Sequence, residues 1–197
     1  MTTSARTAFA LIGAGLLAAC AALSTLQAQI TSYGQWPAAR SPGTYAFDRL
    51  PSQQARPESQ QRLEDAAHTA LTAAGFTAVA TGAEPDVLVQ LGARVTRYER
   101  SPWDDPLWWH GGFGRWPGRP WAGPYWAGYS QSSYYDREVA LMLRDRASGA
   151  PLYEARASSE GTGSGGSDVL SAMFRAAMAD FPKTGSVPHS VSVSLSP

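Results

Sequence analysis

The residues of this chain best suited to contact chemistry are concentrated in one stretch. Six of the seven tryptophans (Trp103, Trp108, Trp109, Trp116, Trp121 and Trp126) fall within residues 101–130. Arg115 and Arg119 stand among them, and five prolines and six glycines interrupt any helix or strand period. An indole face stacks on sugar rings, on cations and at lipid headgroups, while its N–H keeps a polar handle. A segment of this composition must be a long loop between two strands. Two readings of it stay open: a binding surface, or an insertion packed loosely on the domain.

The remaining reactive groups are scattered. Gly161, Gly163 and Gly166 spell G-x-G-x-x-G between a strand pattern and a helix pattern, the place of a dinucleotide fingerprint. Yet the preceding strand belongs to a hairpin, no parallel strand pattern follows the helix, and no acidic residue stands about 20 positions on along such a strand. A Gly/Ser linker ending in a helix cap explains the motif better. His110 follows Asp104 and Asp105, but nothing converges them into a metal site, and His68 and His189 are isolated. Asp48, Glu64, Asp65 and Asp86 are scattered carboxylates, read as solvated faces, and no G-x-S-x-G elbow occurs. No catalytic residue, metal ligand or cofactor site is assigned, and the chain is expected not to be an enzyme. A formal net charge of zero argues against nucleic acid as a partner.

The single cysteine, Cys20, excludes an intrachain disulfide and a cysteine-based metal cluster. Its setting suggests a different use. Arg6 precedes an apolar stretch of about ten residues, Ala8 to Leu17, the length of a signal-peptide core. That is short of the roughly 20 residues a bilayer-spanning helix needs. The stretch ends in Leu17-Ala18-Ala19-Cys20, which resembles the lipobox of bacterial lipoproteins. There the thiol takes a diacylglyceryl group and becomes the first residue of the mature chain. The alternative is an ordinary secretory signal cut after Ala21, which gives a soluble periplasmic protein. Under the lipoprotein reading residues 1–19 are removed and Cys20 anchors the chain to the membrane. Ala21, where inner-membrane retention would place Asp, favours the periplasmic face of the outer membrane.

Periodicity predicts the elements that must carry these groups. Residues 20–42 lack a clear pattern and read as a tether, with Gln29 to Tyr33 as a short strand candidate and Trp36-Pro37 as a breaker. Thr44 to Asp48 reads as a strand. A helix beginning near Pro57 places Leu63, Ala66, Ala67, Ala70, Leu71 and Ala74 on one face, with Gly75 to end it. Phe76 to Ala80 reads as the returning strand. Val87 to Tyr98 alternates with Val87, Val89, Leu91, Ala93 and Val95 on its buried side. Residues 135–145 and 151–159 form a hairpin. A last helix, capped by Ser167 and running from Asp168 to Phe181, aligns Leu170, Met173, Phe174, Ala177, Met178 and Phe181. Residues 184–197 read as a tail, an edge strand or disordered. Two apolar helix stripes and one half-buried sheet predict an α+β fold. It is a two-layer sandwich, mainly antiparallel, in the order β-α-β-β-β-β-α with both helices on one face.

Thr44-Tyr45-Ala46-Phe47, Ala73-Ala74-Gly75-Phe76, Pro85-Asp86-Val87-Leu88-Val89, the turn from Asp145 to Tyr153 and the closing Phe181-Pro182 follow in order. Over residues 43–183 this set resembles bacterial envelope lipoproteins carrying domain of unknown function 4136. Tyr153 stands where that family often has Trp. The resemblance implies a lipoprotein and an α+β fold, and it brings no catalytic residues. The expected function is a non-enzymatic binding or structural component of the envelope. It would be anchored in the membrane by its N-terminal lipid, with an envelope protein or glycan as partner of the 101–130 loop. The alternative is a glycan-acting hydrolase that uses the tryptophans as a sugar platform.

Overall fold

The computed structural model describes residues 25–80, 82–99 and 133–195. The fold is mixed α+β, built on a seven-stranded, mostly antiparallel sheet. The strands are β1 (Thr25–Gly34), β2 (Thr44–Phe47), β3 (Thr77–Ala78), β4 (Val87–Glu99), β5 (Ser133–Asp145), β6 (Pro151–Gly161) and β7 (His189–Ser194). Three helices, α1 (Pro51–Gln54), α2 (Pro57–Ala73) and α3 (Ser167–Ala177), connect them. The sheet order is β3-β2-β4-β5-β6-β1-β7, with β2 parallel to β3 and β4 and every other pair antiparallel.

Alternation defines one buried face of the sheet. Val87, Val89 and Leu91 of β4, Val139, Leu141 and Leu143 of β5, Tyr153, Ala155 and Ala157 of β6, and Leu26, Ala28 and Ile30 of β1 are all buried. Helix α3 packs on β1, β5, β6 and β7, while α2 packs on α3 and on the start of the sheet. Most of the predicted stripes are buried: Leu63, Ala66, Ala67, Ala70 and Leu71 in α2, and Met173, Phe174 and Ala177 in α3, while Ala74, Leu170 and Phe181 are half-buried and Ala172 and Ala176 join the buried face. Burying a side chain such as Phe174 contributes about 1.5–3 kcal/mol. Gly75 ends α2 at φ +91°. The Phe76 N–H donates to Leu71 O and the Gly75 N–H to Thr72 O, both at 3.0 Å, a Schellman closure.

Several expectations need correction. Within the tether predicted over residues 20–42, the short strand candidate Gln29 to Tyr33 is part of a longer strand. Thr25–Gly34 is a ten-residue strand inserted between β6 and β7. Trp36, expected as a breaker, is buried edge-on to Phe76 and Phe181, with centroids 5.6 and 5.0 Å away. Of the alternatives for the tail at residues 184–197, the edge strand is the one present: β7, at the sheet's edge beside β1. The order β-α-β-β-β-β-α therefore lacks a strand at each end and the single-turn helix α1. The returning strand shrinks from Phe76–Ala80 to Thr77–Ala78. Ser167 is the first helical residue and Gly166 the N-cap, and α3 stops at Ala177, short of Phe181. Ala93 and Val95, placed on the buried side, are exposed although their β5 partners Val139 and Arg137 are buried, so at this level the cover reaches β5 but not β4.

Candidate functional site

Pairing fixes which loops share an end of the sheet. Strands β2, β4, β6 and β7 run one way and β1 and β5 the other. The ends of β2, β4, β6 and β7 therefore lie with the starts of β1 and β5. Helix α2 follows the end of β2 and α3 follows the end of β6, so both helix N-termini lie there too. The 101–130 segment leaves after Glu99 and returns before Ser133, and these two residues are paired neighbours. Trp103, Trp108, Trp109, Trp116, Trp121 and Trp126 lie outside the described residues, as do Cys20 and His110.

A cleft of about 800 Å³ lies at this end. Its floor carries Ala93, Val95, Arg137 and Val139, and its walls are the first turns of α2 and α3 and the glycine loop before α3. Arg137 shares a face with Val139 by strand alternation, which buries it beside the glycine loop. It is only 8% exposed. Its Nε donates to Ser159 O at 3.4 Å, and no carboxylate pairs with it among the described residues. Burial pushes the guanidinium below its ordinary value. A Cβ at Gly161 would overlap the guanidinium, and one at Gly165 would lie 3.3 Å from Arg137 Cδ. Of the three glycines that mimic a dinucleotide fingerprint, only Gly161 lies against this arginine; a Cβ at Gly163 or Gly166 would meet nothing within 4 Å. Strand β6 is antiparallel to both neighbours, and β7, which runs parallel to β6, is separated from it by β1. No adjacent parallel pair brackets that glycine loop.

The residues that carried the family resemblance perform structural tasks at the opposite end. Asp86 accepts from the Thr44 N–H at 2.7 Å and from its hydroxyl at 2.8 Å, joining β2 to β4. These bonds hold its carboxyl below the usual range. Asp145 closes the β5–β6 turn through the Ser148 N–H at 2.8 Å and hydroxyl at 2.7 Å, and pairs with Arg40 at 2.7 Å. Arg40 in turn lies over the Trp36 ring, 5.4 Å from its centroid. Tyr153, buried edge-on to Phe181, has its hydroxyl pushed up to about 12 by burial.

The other predicted groups do not converge. Glu64, read as a solvated carboxylate, is buried and accepts a bidentate fork from Arg49 at 2.6 and 2.6 Å. Asp65 stays on the surface, accepting from Gln61 at 2.9 Å. His68 is exposed, and His189 lies 3.2 Å from the Asp180 carboxylate. Among the described residues no three His, Cys, Asp or Glu side chains gather as a metal site. The cleft, Arg137 above all, escaped the sequence reading. Its one signal was the period of two that puts Arg137 in line with Val139 and Leu141.

Among solved structures, the chain is similar to a PDZ domain protein from Parabacteroides distasonis, at 13% identity and a TM-score of 0.47. That match covers 90% of this chain, which spans only 41% of the other's length. It is also similar to the PelC dodecamer from Paraburkholderia phytofirmans, at 13% identity and a TM-score of 0.41, covering 77% of this chain and 95% of that one. No curated protein matches the chain. The model of one family, described as domain of unknown function DUF4136, matches residues 29–183, reaching back into β1 beyond the motifs recognised by eye. The chain belongs to the DUF4136 family.

Proposed function

We propose that this chain is a non-enzymatic envelope lipoprotein. In this reading Cys20 carries the lipid anchor at the periplasmic face of the outer membrane, and the protein acts by binding at its anchored end. The observation that carries the reading is topological. Strand β1 begins at Thr25, five residues after Cys20, at the same end of the sheet as Glu99 and Ser133, which flank the aromatic segment. Five residues reach at most about 17 Å, so an anchored Cys20 holds this end close to the bilayer. One acyl chain binds a membrane weakly and several hold durably, as lipoprotein processing supplies.

Under this reading the α2 and α3 layer covers one sheet face in a two-layer sandwich, a rigid base for the aromatic segment. Trp103, Trp108, Trp109, Trp116, Trp121 and Trp126 form the contact surface for an envelope protein or glycan. In-cell photocrosslinking from a probe at Trp109 or Trp121 tests this. An envelope component captured from both positions, and not from a probe at His68 on α2, is expected. Equal capture from all three positions would contradict it.

A further inference from the structure

We propose that the cleft between the N-termini of α2 and α3 is an oxyanion site that takes a phosphate group, with Arg137 as its buried donor. Four observations support one another. First, Arg137 lines the cleft and is 8% exposed. Its Nη groups have no hydrogen-bond acceptor among the described residues. A buried cation without a counter-charge is costly, and an anion arriving in the cleft relieves that cost.

Second, α3 (11 residues) opens on Gly166 with no side-chain cap, and α2 (17 residues) opens on Arg56 with none either. Uncapped first-turn N–H groups and the positive ends of two helix dipoles therefore meet at one cavity. Third, the fixed charges are arranged for an anion. Arg56 and Arg62 line the cleft from α2. Of the acidic groups in its walls, Glu138 is already paired with Arg94 at 3.0 Å and Asp65 accepts from Gln61. Asp168 and Glu58, the acids of the two first turns, do not line the cavity.

Fourth, the guanidinium rests against Gly161, where a Cβ would overlap an Arg137 Nη and displace it, while Gly165, at φ +86°, passes 3.3 Å from Arg137 Cδ. Arginine's planar fork suits bidentate contact with a phosphate, and the surrounding N–H groups supply the further donors that oxyanion needs.

The phosphate could belong to a soluble molecule or to a lipid headgroup, and the test separates the two. The full chain carrying Cys20→Ala, which cannot be acylated, is kept in mild detergent and titrated calorimetrically with inorganic phosphate. After removal of the detergent it is also offered to vesicles of phosphatidylglycerol and of phosphatidylcholine. Phosphate binding that R137Q weakens about tenfold or more is expected. Stronger R137-dependent recruitment to phosphatidylglycerol than to phosphatidylcholine assigns the site to a lipid headgroup. Phosphate binding without that preference assigns it to a soluble phosphate. Absence of both, or an R137Q protein that binds as the parent does, overturns the proposal. Should R137Q fail to fold, the surface double variant R56Q/R62Q decides: several-fold weaker binding supports the site and unchanged binding overturns it. Because Cys20 is absent throughout, the outcome is independent of the lipid anchor.

Discussion

Asp145 holds two donors of Ser148 and the guanidinium of Arg40 on one carboxylate. These partners depress its proton affinity far below the ordinary 3.8. A carboxylate depressed in the folded state adds stability above its unfolded value, and that stability is lost as pH falls through the window below 3.8. Asp86, lowered by Thr44, acts in the same direction. Melting curves from pH 6 down to pH 2 should therefore show the parent losing stability in acid. Asp145→Asn should be weaker at pH 6 and flatter toward pH 2, and parallel curves would refute the linkage. Tyr45 presents the opposite case. Its hydroxyl is buried with no partner among the described residues, and burial and the nearby Glu64 charge both raise its proton affinity. Removing an unsatisfied buried hydroxyl relieves a desolvation cost, so Tyr45→Phe should raise unfolding stability by about 1 kcal/mol in urea titrations. A loss of that size would mean the hydroxyl has a partner.

Among the elements, β1 carries the sharpest consequence. It is paired on both sides, with Gln29 opposite Ser158 on β6 and opposite Ser190 on β7. Deleting residues 25–34 while keeping Cys20 should abolish the cooperative melting transition seen by circular dichroism. A tether would tolerate that deletion with its transition intact. The contrast also explains what was legible in the sequence. The stripes of α2 and α3 and the alternation of β4 to β6 are local signals, dense in large apolar residues and closed by Gly75 or by the Ser148-Gly149 turn. Strand β1 alternates too, but its buried positions include Ala28 and Ser32, and its partners are more than a hundred residues away. Strand β7 alternates serine with Val191 and Val193 and gains meaning only once β1 stands beside it. Long-range pairing of this kind has no local trace. Ala93 and Val95 mark the converse limit: alternation names a face, but how far the cover reaches decides how much of it is buried.

For the molecule as a whole, the sheet separates two ends with different tasks. One end holds the motif residues Thr44, Asp86 and Asp145, with Arg40 and Trp36, in hydrogen bonds and ring contacts that fix the fold. The other gathers the start of β1, the flanks of the aromatic segment, the glycine loop and the two helix N-termini around Arg137. The motifs that identify the family were readable in sequence because each is a short turn or strand contact. The cleft was not, because it comes from residues of five separate elements and the glycine loop. In the proposed function the second end faces the membrane through Cys20. Radioactive palmitate labelling in a Gram-negative host, followed by recovery of the protein, tests that claim most directly. Label on the parent chain and none on Cys20→Ala is predicted. No label on the parent, or equal label on Cys20→Ala, would contradict it.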